Sequence, residues 1–348
     1  MNFQSVGTTL KTISPSVAHF STTMVKSKPR HLVNMLELTN EELAALVTKA
    51  AGFKAQVRSG NPAPIEQHQK LLGKLVALVF SKRSTRTRIS TEGAASYFGA
   101  QPMFLGKDDI QLGVNESFYD TTKVVSSMTS CIFARVAKHQ EIVELCTHSS
   151  VPIINSLCDK FHPLQAIADL LTIKEAFGNK TSGLKLAWIG DSNNVINDLA
   201  IAALRSGISV AISIPKGIEF DQKISDSAKE IAESNNATFE IFNNPQDALI
   251  NANIVVTDTW ISMGEEAEKE SKLKQFAGYR IDANMIKSGK AAENWKFMHC
   301  LPRHQEEVAD DVFYDEKRSL VFEEAENRLY AAMAVIDSFV VNKGDLLK

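Results

Sequence analysis

The stretch KLVALVFSKRSTRTRISTEGAASYF occupies residues 74–98 and decides the expected fold. Its first seven residues, Lys74–Phe80, form a short aliphatic run of strand length. A basic, hydroxyl-rich turn follows at residues 81–88, and the apolar residues between 89 and 98 then have helical spacing. A buried strand that passes through a turn into a helix is typical of parallel sheets covered by helices.

The same alternation of strand and helix continues along the chain. The other strand-like runs are Met103–Gly106, Cys131–Val136, Pro152–Ser156, Leu184–Ile189, Ser209–Pro215, Thr238–Phe242, Asn253–Trp260 and Phe297–Leu301. Helical stretches separate them, including one that starts near Asn40 with Thr39 as its cap. The sequence therefore predicts an α/β protein with two doubly wound parallel-sheet domains of similar size.

The domain division is expected near Asn179–Gly183, a stretch rich in Gly, Asn and Ser that follows a helix predicted at 163–177. A chain of 348 residues is long enough for two domains. We expect a leader at 1–30, a first domain at 31–178 and a second domain at 179–324. Residues 325–348 should form a C-terminal helix that returns toward the first domain.

Composition excludes several classes of protein. The formal net charge is −3, so no overall basic balance favours nucleic-acid binding. No apolar run approaches the about 18 residues that span a bilayer, so no membrane partner is expected. The cysteines, Cys131, Cys146, Cys158 and Cys300, form no Cys-x-x-Cys pair. A disulfide scaffold and a structural zinc site are therefore not expected.

The leader has the composition of a mitochondrial transit peptide. Residues 1–36 contain no Asp or Glu, carry Lys11, Lys26, Lys28 and Arg30, and are rich in Ser and Thr. We expect import into the mitochondrial matrix. The alternative is a disordered tail on a cytoplasmic protein, and Met24 offers a start for such a shorter form.

The turn after the first strand is the strongest local signal for chemistry. Hydroxyl groups, guanidinium groups and free backbone N–H groups meet at Ser84-Thr85-Arg86-Thr87-Arg88, where a helix begins. A helix N-terminus and Arg side chains both suit a phosphate group. The alternative is a solvated basic turn. The glycine pattern of a P-loop is absent.

The pentapeptide Ser84–Arg88 resembles the carbamoyl-phosphate signature of the aspartate and ornithine carbamoyltransferases. Further motifs of that family follow in its order: Phe133-Ala134-Arg135, His162-Pro163-Leu164-Gln165, Asp191-Ser192-Asn193-Asn194, Asp258-Thr259-Trp260-Ile261-Ser262-Met263-Gly264, His299-Cys300-Leu301-Pro302 and Glu326-Asn327-Arg328. The Ser-Met-Gly and His-Cys-Leu-Pro motifs resemble the ornithine branch, in wording similar to fungal members. The resemblance runs from about residue 31 to the C-terminus.

The resemblance implies a carbamoyl-phosphate site in the first domain. Its residues would be Ser84, Thr85, Arg86, Thr87, Gln111, Arg135, His162, Gln165, Cys300, Leu301 and Arg328. Arg135 and His162 would also act in catalysis. Gln111 lies in a loop that family members extend into a neighbouring subunit, so a homotrimer with shared active sites is expected. Without the family motifs, Arg135 would be read as a surface ion pair and His162 as a helix-start histidine.

The second domain starts like a nucleotide-binding fold, at Trp188-Ile189-Gly190-Asp191. The glycines of a dinucleotide fingerprint are absent, which argues against a nicotinamide dehydrogenase. The resemblance instead implies an ornithine site made of Asn193, Asp258, Ser262 and Met263. Cys300 would lie beside the reacting amine and act with Asp258, although a lone cysteine is more often a core residue.

The implied function is transfer of a carbamoyl group from carbamoyl phosphate to L-ornithine, in arginine biosynthesis. Positioning and fixed dipoles can stabilise the developing charge, so no metal or cofactor is expected. Three alternatives are a relative that carbamoylates putrescine or an acetylated ornithine, an inactive regulatory family member, and the dehydrogenase. Ser262–Gly264 disfavours the first, and the retained arginines disfavour the second.

Overall fold

The computed structural model describes residues 28–61, 64–108, 110, 116–261 and 269–348. Within these ranges, nine strands form two sheets, and every strand pair is parallel. The first sheet contains β1 (Leu75–Phe80), β2 (Gln101–Gly106), β3 (Cys131–Arg135) and β4 (Ile153–Leu157). The second contains β5 (Lys185–Ile189), β6 (Ser209–Ser213), β7 (Phe239–Phe242), β8 (Ile254–Val256) and β9 (Lys296–Met298). The predicted α/β class with two parallel sheets is confirmed.

Helices connect the strands of each sheet. In the first half of the chain they are α1 (Asn40–Arg58), α2 (Ile65–Gln69), α3 (Thr85–Tyr97), α4 (Phe118–Met128), α5 (His139–His148) and α6 (Pro163–Phe177). In the second half they are α7 (Asn194–Arg205), α8 (Gln222–Ser234), α9 (Pro245–Leu249), α10 (Lys269–Gln275), α11 (Ala283–Ser288), α12 (Asp310–Phe313) and α13 (Val321–Val335). A 3₁₀ helix at Met35–Glu37 precedes α1, and a π-helical segment at Ile336–Val341 follows α13.

Strand β1 is the centre of the first core. Val76–Phe80 are each at most 2% exposed, and β1 pairs with β2 on one side and β3 on the other. Burial of an aliphatic or aromatic side chain contributes about 1.5–3 kcal/mol. The continuous apolar run, rather than an alternating one, follows from burial on both faces of the sheet.

The predicted start of α1 is confirmed by its cap. Thr39 Oγ1 accepts a hydrogen bond from the Glu42 backbone N–H at 3.2 Å, and Glu42 Oε2 accepts one from the Thr39 N–H at 3.1 Å. This reciprocal capping box satisfies two backbone donors that the first turn leaves open. The carboxylate also lies at the positive end of the helix dipole.

Each sheet has a point at which the direction of strand addition reverses. The first sheet has the order β2-β1-β3-β4, and the second has the order β7-β6-β5-β8-β9. The reversal lies between β1 and β3 in one sheet and between β5 and β8 in the other. Open α/β sheets bind ligands at the carboxyl ends of such strands. Arg135 ends β3, while Asn193 and Asp258 follow β5 and β8.

The last helix returns to the first half of the chain, as predicted. Helix α13 packs against α1, α3 and α6. Ala331, Ala332 and Ala334 on α13 are fully buried, and their small side chains allow the close approach. The C-terminal segment thereby covers the first sheet's helices although it follows the second sheet in sequence.

Two strands end three or more residues before their predicted ends. The runs Asn253–Trp260 and Phe297–Leu301 form β8 and β9, which end at Val256 and Met298. The backbone leaves the sheet there because its polar groups find other partners: the His299 N–H donates to Glu324 Oε2 at 2.8 Å. The domain division at 178/179 lies between α6 and β5 and stays a prediction.

Candidate active site

The turn between β1 and α3 presents backbone donors to solvent. Ser84 caps α3 with its side chain, which accepts a hydrogen bond from the Thr87 N–H at 3.3 Å. Thr85 and Arg86 occupy the first turn of the helix. The first N–H groups of a helix have no partner within the helix, so this turn is suited to an anion.

Three guanidinium groups converge at this turn. Arg135 at the end of β3 is 6% exposed, and its Nε has no hydrogen-bond partner among the described residues. Arg328 on α13 is 3% exposed and donates to Gln165 Oε1 at 2.6 Å and to Thr87 Oγ1 at 3.2 Å. Arg86 donates through Nη2 to the backbone oxygen of Leu301. We call the space between Ser84, Arg86, Arg135, His162 and Arg328 the anion pocket.

The electrostatics of the anion pocket favour a multiply charged anion. Burial lowers the pKa of Arg135 to about 10 and that of Arg328 to about 10, and the nearby charge of Arg86 contributes to both shifts. These arginines remain protonated at neutral pH, but their charges lack full compensation. A dianion that accepts hydrogen bonds from all three would supply the missing negative charge.

His162 adds a neutral imidazole to the anion pocket. It caps α6 through its backbone and is 4% exposed. Burial lowers its pKa well below the usual value, and Arg328, Arg135 and Arg86 lower it further. Its Nδ1 has no partner among the described residues, so this nitrogen is available to hydrogen-bond a ligand. Because the ring is neutral, it adds no positive charge to the pocket.

The backbone of His162 is held by an aspartate that sequence reasoning missed. Asp198 Oδ2 accepts a hydrogen bond from the His162 N–H at 2.7 Å, and its Oδ1 accepts one from the Met35 N–H at 2.7 Å. Asp198 is fully buried on α7, and burial raises its pKa to about 8. It joins the second half of the chain to α6 and to the segment before α1.

A second group of polar side chains lies at the carboxyl ends of β5, β8 and β9. Asp258 accepts a hydrogen bond from Asn193 Nδ2 at 2.9 Å and from the Cys300 thiol at 3.1 Å. Asp258 is 5% exposed. Asn193 also caps α7, where its Oδ1 accepts from the Val195 N–H at 3.0 Å. A buried carboxylate that has two neutral side-chain donors, and no ion pair within the described part of the chain, is suited to an ammonium or amine group.

The thiol of Cys300 is a donor rather than a nucleophile. Burial raises its pKa well above the usual value, and the negative charges of Asp258 and Glu324 raise it further. Burial also raises the pKa of Asp258. The proton therefore stays on sulfur, and a thiolate attack is disfavoured.

The two groups are adjacent. The hydrogen bond from Arg86 to the backbone oxygen of Leu301 joins the first turn of α3 to the segment that follows β9. Leu301 comes directly after Cys300, so a molecule in the anion pocket lies near the thiol and Asp258. The arrangement suits transfer of a group from a phosphate-bearing donor to an amine.

The described ranges contain neither a metal-binding cluster nor a membrane-spanning helix. No group of three His, Cys, Asp or Glu side chains there is arranged to hold a metal ion. Every helix in the same ranges is too short or too polar to traverse a bilayer.

Two family models match the chain. One is described as "Aspartate/ornithine carbamoyltransferase, carbamoyl-P binding domain" and matches residues 30–175, and the other as "Aspartate/ornithine carbamoyltransferase, Asp/Orn binding domain" and matches residues 182–339. The chain belongs to the aspartate/ornithine carbamoyltransferase family. The resemblance found in its motifs is thereby confirmed.

Relatives within the family are similar over nearly their whole length. "Ornithine transcarbamylase, mitochondrial" of Pachysolen tannophilus is 66% identical over 322 residues, which are 92% of each chain. "Ornithine carbamoyltransferase" of Saccharomyces cerevisiae is 62% identical over 334 residues, covering 93% of this chain and 98% of the relative. The crystal structure of a mitochondrial ornithine carbamoyltransferase from Coccidioides immitis matches with a TM-score of 0.85 and 50% identity, covering 91% and 99%.

Most of the residues predicted from the family motifs come together in the structure. The described residues from the first-domain motifs, with Arg328, surround the anion pocket, and Asn193 and Cys300 each hydrogen-bond to Asp258. Gln111, Ser262 and Met263 lie outside the described residues. The assignment of each residue to a substrate stays a prediction.

Three buried acids around the site were not predicted: Asp169, Asp198 and Glu324. Each lies on a helix and is at most 1% exposed. For Asp169 and Asp198, an acid among mostly apolar residues of a helix was the signal that could have identified them, whereas Glu324 has polar neighbours and gives no such signal.

Proposed function

We propose that this chain is an ornithine carbamoyltransferase, which converts carbamoyl phosphate and L-ornithine to L-citrulline and phosphate in arginine biosynthesis. The observation that carries the proposal is the anion pocket with three converging guanidinium groups, joined through Leu301 to the Asp258–Cys300 pair. The printed names of the relatives from P. tannophilus and S. cerevisiae support the ornithine branch.

In this proposal carbamoyl phosphate occupies the anion pocket. The first turn of α3, with Ser84, Thr85, Arg86 and Thr87, holds the phosphate. Arg135 binds both the phosphate and the carbonyl oxygen, and Arg328 completes the pocket. His162, Gln165 and the backbone of Leu301 hold the carbamoyl group. Hydrogen bonds aimed at the carbonyl oxygen stabilise the negative charge that develops on it in the transition state.

Ornithine occupies the second group of side chains. Asn193 binds its carboxylate, and Asp258, with Ser262 and Met263, binds its amine end. The neutral δ-amine attacks the carbonyl carbon to form a tetrahedral intermediate. The carbon–oxygen bond to phosphate then breaks, and the nitrogen loses its surplus proton as phosphate departs. Because the Cys300 thiol keeps its proton, we propose direct attack by the amine without a covalent cysteine intermediate.

Assembly and location complete the proposal. We infer a homotrimer in which the loop carrying Gln111 contributes to a neighbouring subunit's site. We also infer a mitochondrial matrix enzyme, since the leader at 1–30 is basic and free of acids. The names of the relatives from P. tannophilus and Emericella nidulans include the word mitochondrial, which supports this location.

The test is an assay of citrulline formation with rival amines. The purified chain should form citrulline from ornithine and carbamoyl phosphate, while putrescine and aspartate should react far more slowly. A preference for putrescine would identify a different carbamoyltransferase. Binding of carbamoyl phosphate without any transfer would identify an inactive member of the family.

A further inference from the structure

Two buried carboxyl groups lie directly behind the anion pocket. Asp169 on α6 and Glu324 on α13 are each 1% exposed. Their oxygens lie close together because both accept hydrogen bonds from one amide nitrogen, and two ionised carboxylates so placed repel each other. Burial raises the pKa of Asp169 to about 7 and that of Glu324 well above its usual value. The pair therefore keeps at least one proton near neutral pH.

Both carboxyl groups contact the side-chain amide of Gln165. Gln165 Nε2 donates to Asp169 Oδ1 at 2.7 Å and to Glu324 Oε1 at 3.1 Å. On its other side, Gln165 Oε1 accepts from Arg328 Nη1 at 2.6 Å. Turning the amide by 180° would set its oxygen against two carboxyl oxygens and its NH₂ group against a guanidinium. The carboxyl pair thus selects one of the two amide orientations.

The selected orientation directs an acceptor toward the anion pocket. The guanidinium groups of the pocket can only donate hydrogen bonds, whereas the amide oxygen of Gln165 accepts them. The NH₂ group is the part of carbamoyl phosphate that donates. Acetyl phosphate has the same phosphate and carbonyl but carries a methyl group in that place. An oriented acceptor distinguishes the two compounds, because Arg328 occupies only one lone pair of the Gln165 oxygen and a methyl group cannot donate to the other.

We propose that Asp169 and Glu324 are positioning residues that fix the amide of Gln165 and thereby set the preference for carbamoyl phosphate over acetyl phosphate. This inference rests on the proposed function. Glu324 has a further contact, since its Oε2 accepts from the His299 N–H at 2.8 Å, one residue before Cys300. Through these contacts Asp169 therefore acts only on the carbamoyl-phosphate site, whereas Glu324 acts on that site and, through His299, on the ornithine site.

The test compares the dissociation constants of carbamoyl phosphate and acetyl phosphate, measured by calorimetry on the full-length protein. Asp169→Leu removes the carboxylate that accepts the shorter of the two hydrogen bonds from Gln165 Nε2. The preference for carbamoyl phosphate should then fall by roughly 10- to 100-fold. Asp169→Asn should restore the preference, because its oxygen can accept from Gln165 while its NH₂ group donates to Glu324. If Asp169 had only a structural role, the ratio of the two dissociation constants would not differ between Asp169→Leu and Asp169→Asn.

Two further variants keep the test decisive. Leu171→Ala removes a fully buried core side chain from the same helix, so it should lower the thermal midpoint and leave the preference unchanged. Should Asp169→Leu not fold, Glu324→Met carries the same test. It removes the acceptors of both Gln165 Nε2 and the His299 N–H, so it should reduce the preference and also raise KM for ornithine.

An unchanged preference in Asp169→Leu, or an equal loss in Leu171→Ala, would overturn the inference. Failure of the proposed function gives a different result: the wild-type chain would then form no citrulline and would show no preference to lose.

Discussion

Replacement of Arg328 by methionine should separate binding from stability. Arg328 is 3% exposed, and its pKa falls from the ordinary 12.5 to about 10 because of burial and the charge of Arg86. Each pKa unit corresponds to about 1.4 kcal/mol, so holding this charge in the unliganded fold costs about 3 kcal/mol. Methionine removes that cost and fills similar space.

Methionine also removes two hydrogen bonds that the guanidinium donates. They reach Gln165 at 2.6 Å and Thr87 at 3.2 Å, and each bond to a charged group contributes about 1.5–3 kcal/mol. The two bonds together contribute about 3–6 kcal/mol, so the gain of about 3 kcal/mol offsets much of the loss. We therefore expect the free energy of unfolding without ligand to fall by at most about 3 kcal/mol.

Binding should respond differently. Loss of a buried cation that faces the phosphate should weaken carbamoyl-phosphate binding by about 2–5 kcal/mol, or roughly 30- to 4,000-fold in Kd. Urea unfolding with and without carbamoyl phosphate measures both quantities. Arg205→Met is the matched control: its guanidinium donates to the backbone oxygens of Met35 and Leu36, away from the pocket, so it should lose stability and keep affinity.

The assignment of Arg328 to the anion pocket would be wrong if Arg328→Met lost more than about 3 kcal/mol of stability without ligand and still bound carbamoyl phosphate normally. Arg328 would then be a structural arginine, and the anion pocket would be completed by other groups.

Three further predictions concern the Cys300 thiol, subunit contacts and pH. Cys300→Ala should raise KM for ornithine and lower kcat while carbamoyl-phosphate binding persists. The core control Cys131→Ala should lower the thermal midpoint and leave the kinetics unchanged. The reverse pattern would show that Cys300 is a core residue rather than a site residue. Mixed trimers of Arg86→Ala and Gln111→Ala chains, each nearly inactive alone, should regain citrulline formation, and mixed assembly without rescue would reject shared sites. Burial raises the pKa of Asp198 to about 8. The protonated carboxyl therefore makes its full contribution to stability below pH about 4. That contribution falls by about 1.4 kcal/mol per pH unit as the pH rises from there to about 8. The stability deficit of Asp198→Asn in urea unfolding should therefore shrink from pH 6 to pH 8, and a constant deficit would contradict this assignment.

The strands of this fold are predictable because each is a short apolar run between polar turns. Every strand in the described ranges overlaps a predicted one, and the bounds differ by a few residues. The errors have local causes. The predicted strand included Pro152, but the strand begins at Ile153 because proline lacks the N–H that sheet pairing uses. The strand predicted at 253–260 ends at Val256, where the sequence changes to Thr257-Asp258-Thr259, and the backbone turns away there to place Asp258 at the site.

The contacts between distant parts of the chain were not predictable from local patterns. Gln165 and Arg328 were assigned to one site by their family motifs, yet their hydrogen bond joins positions 163 residues apart. Asp169 and Glu324 belong to no motif used in the prediction. Their significance depends on which helix faces meet, and only the packing of α6 against α13 determines that.

The return of α13 to the first half of the chain has a consequence for synthesis on the ribosome. Thr87 and Arg328 contact each other across 241 positions. At about 5–20 residues per second, a growing chain exists for roughly 10–50 s with the first turn of α3 made and Arg328 not yet added. During that time carbamoyl phosphate has no complete pocket to enter, so ligand binding cannot favour the folding of an unfinished chain. A chain that stops before α13 would likewise gain no protection from the substrate, and its survival would depend on chaperones and proteases alone.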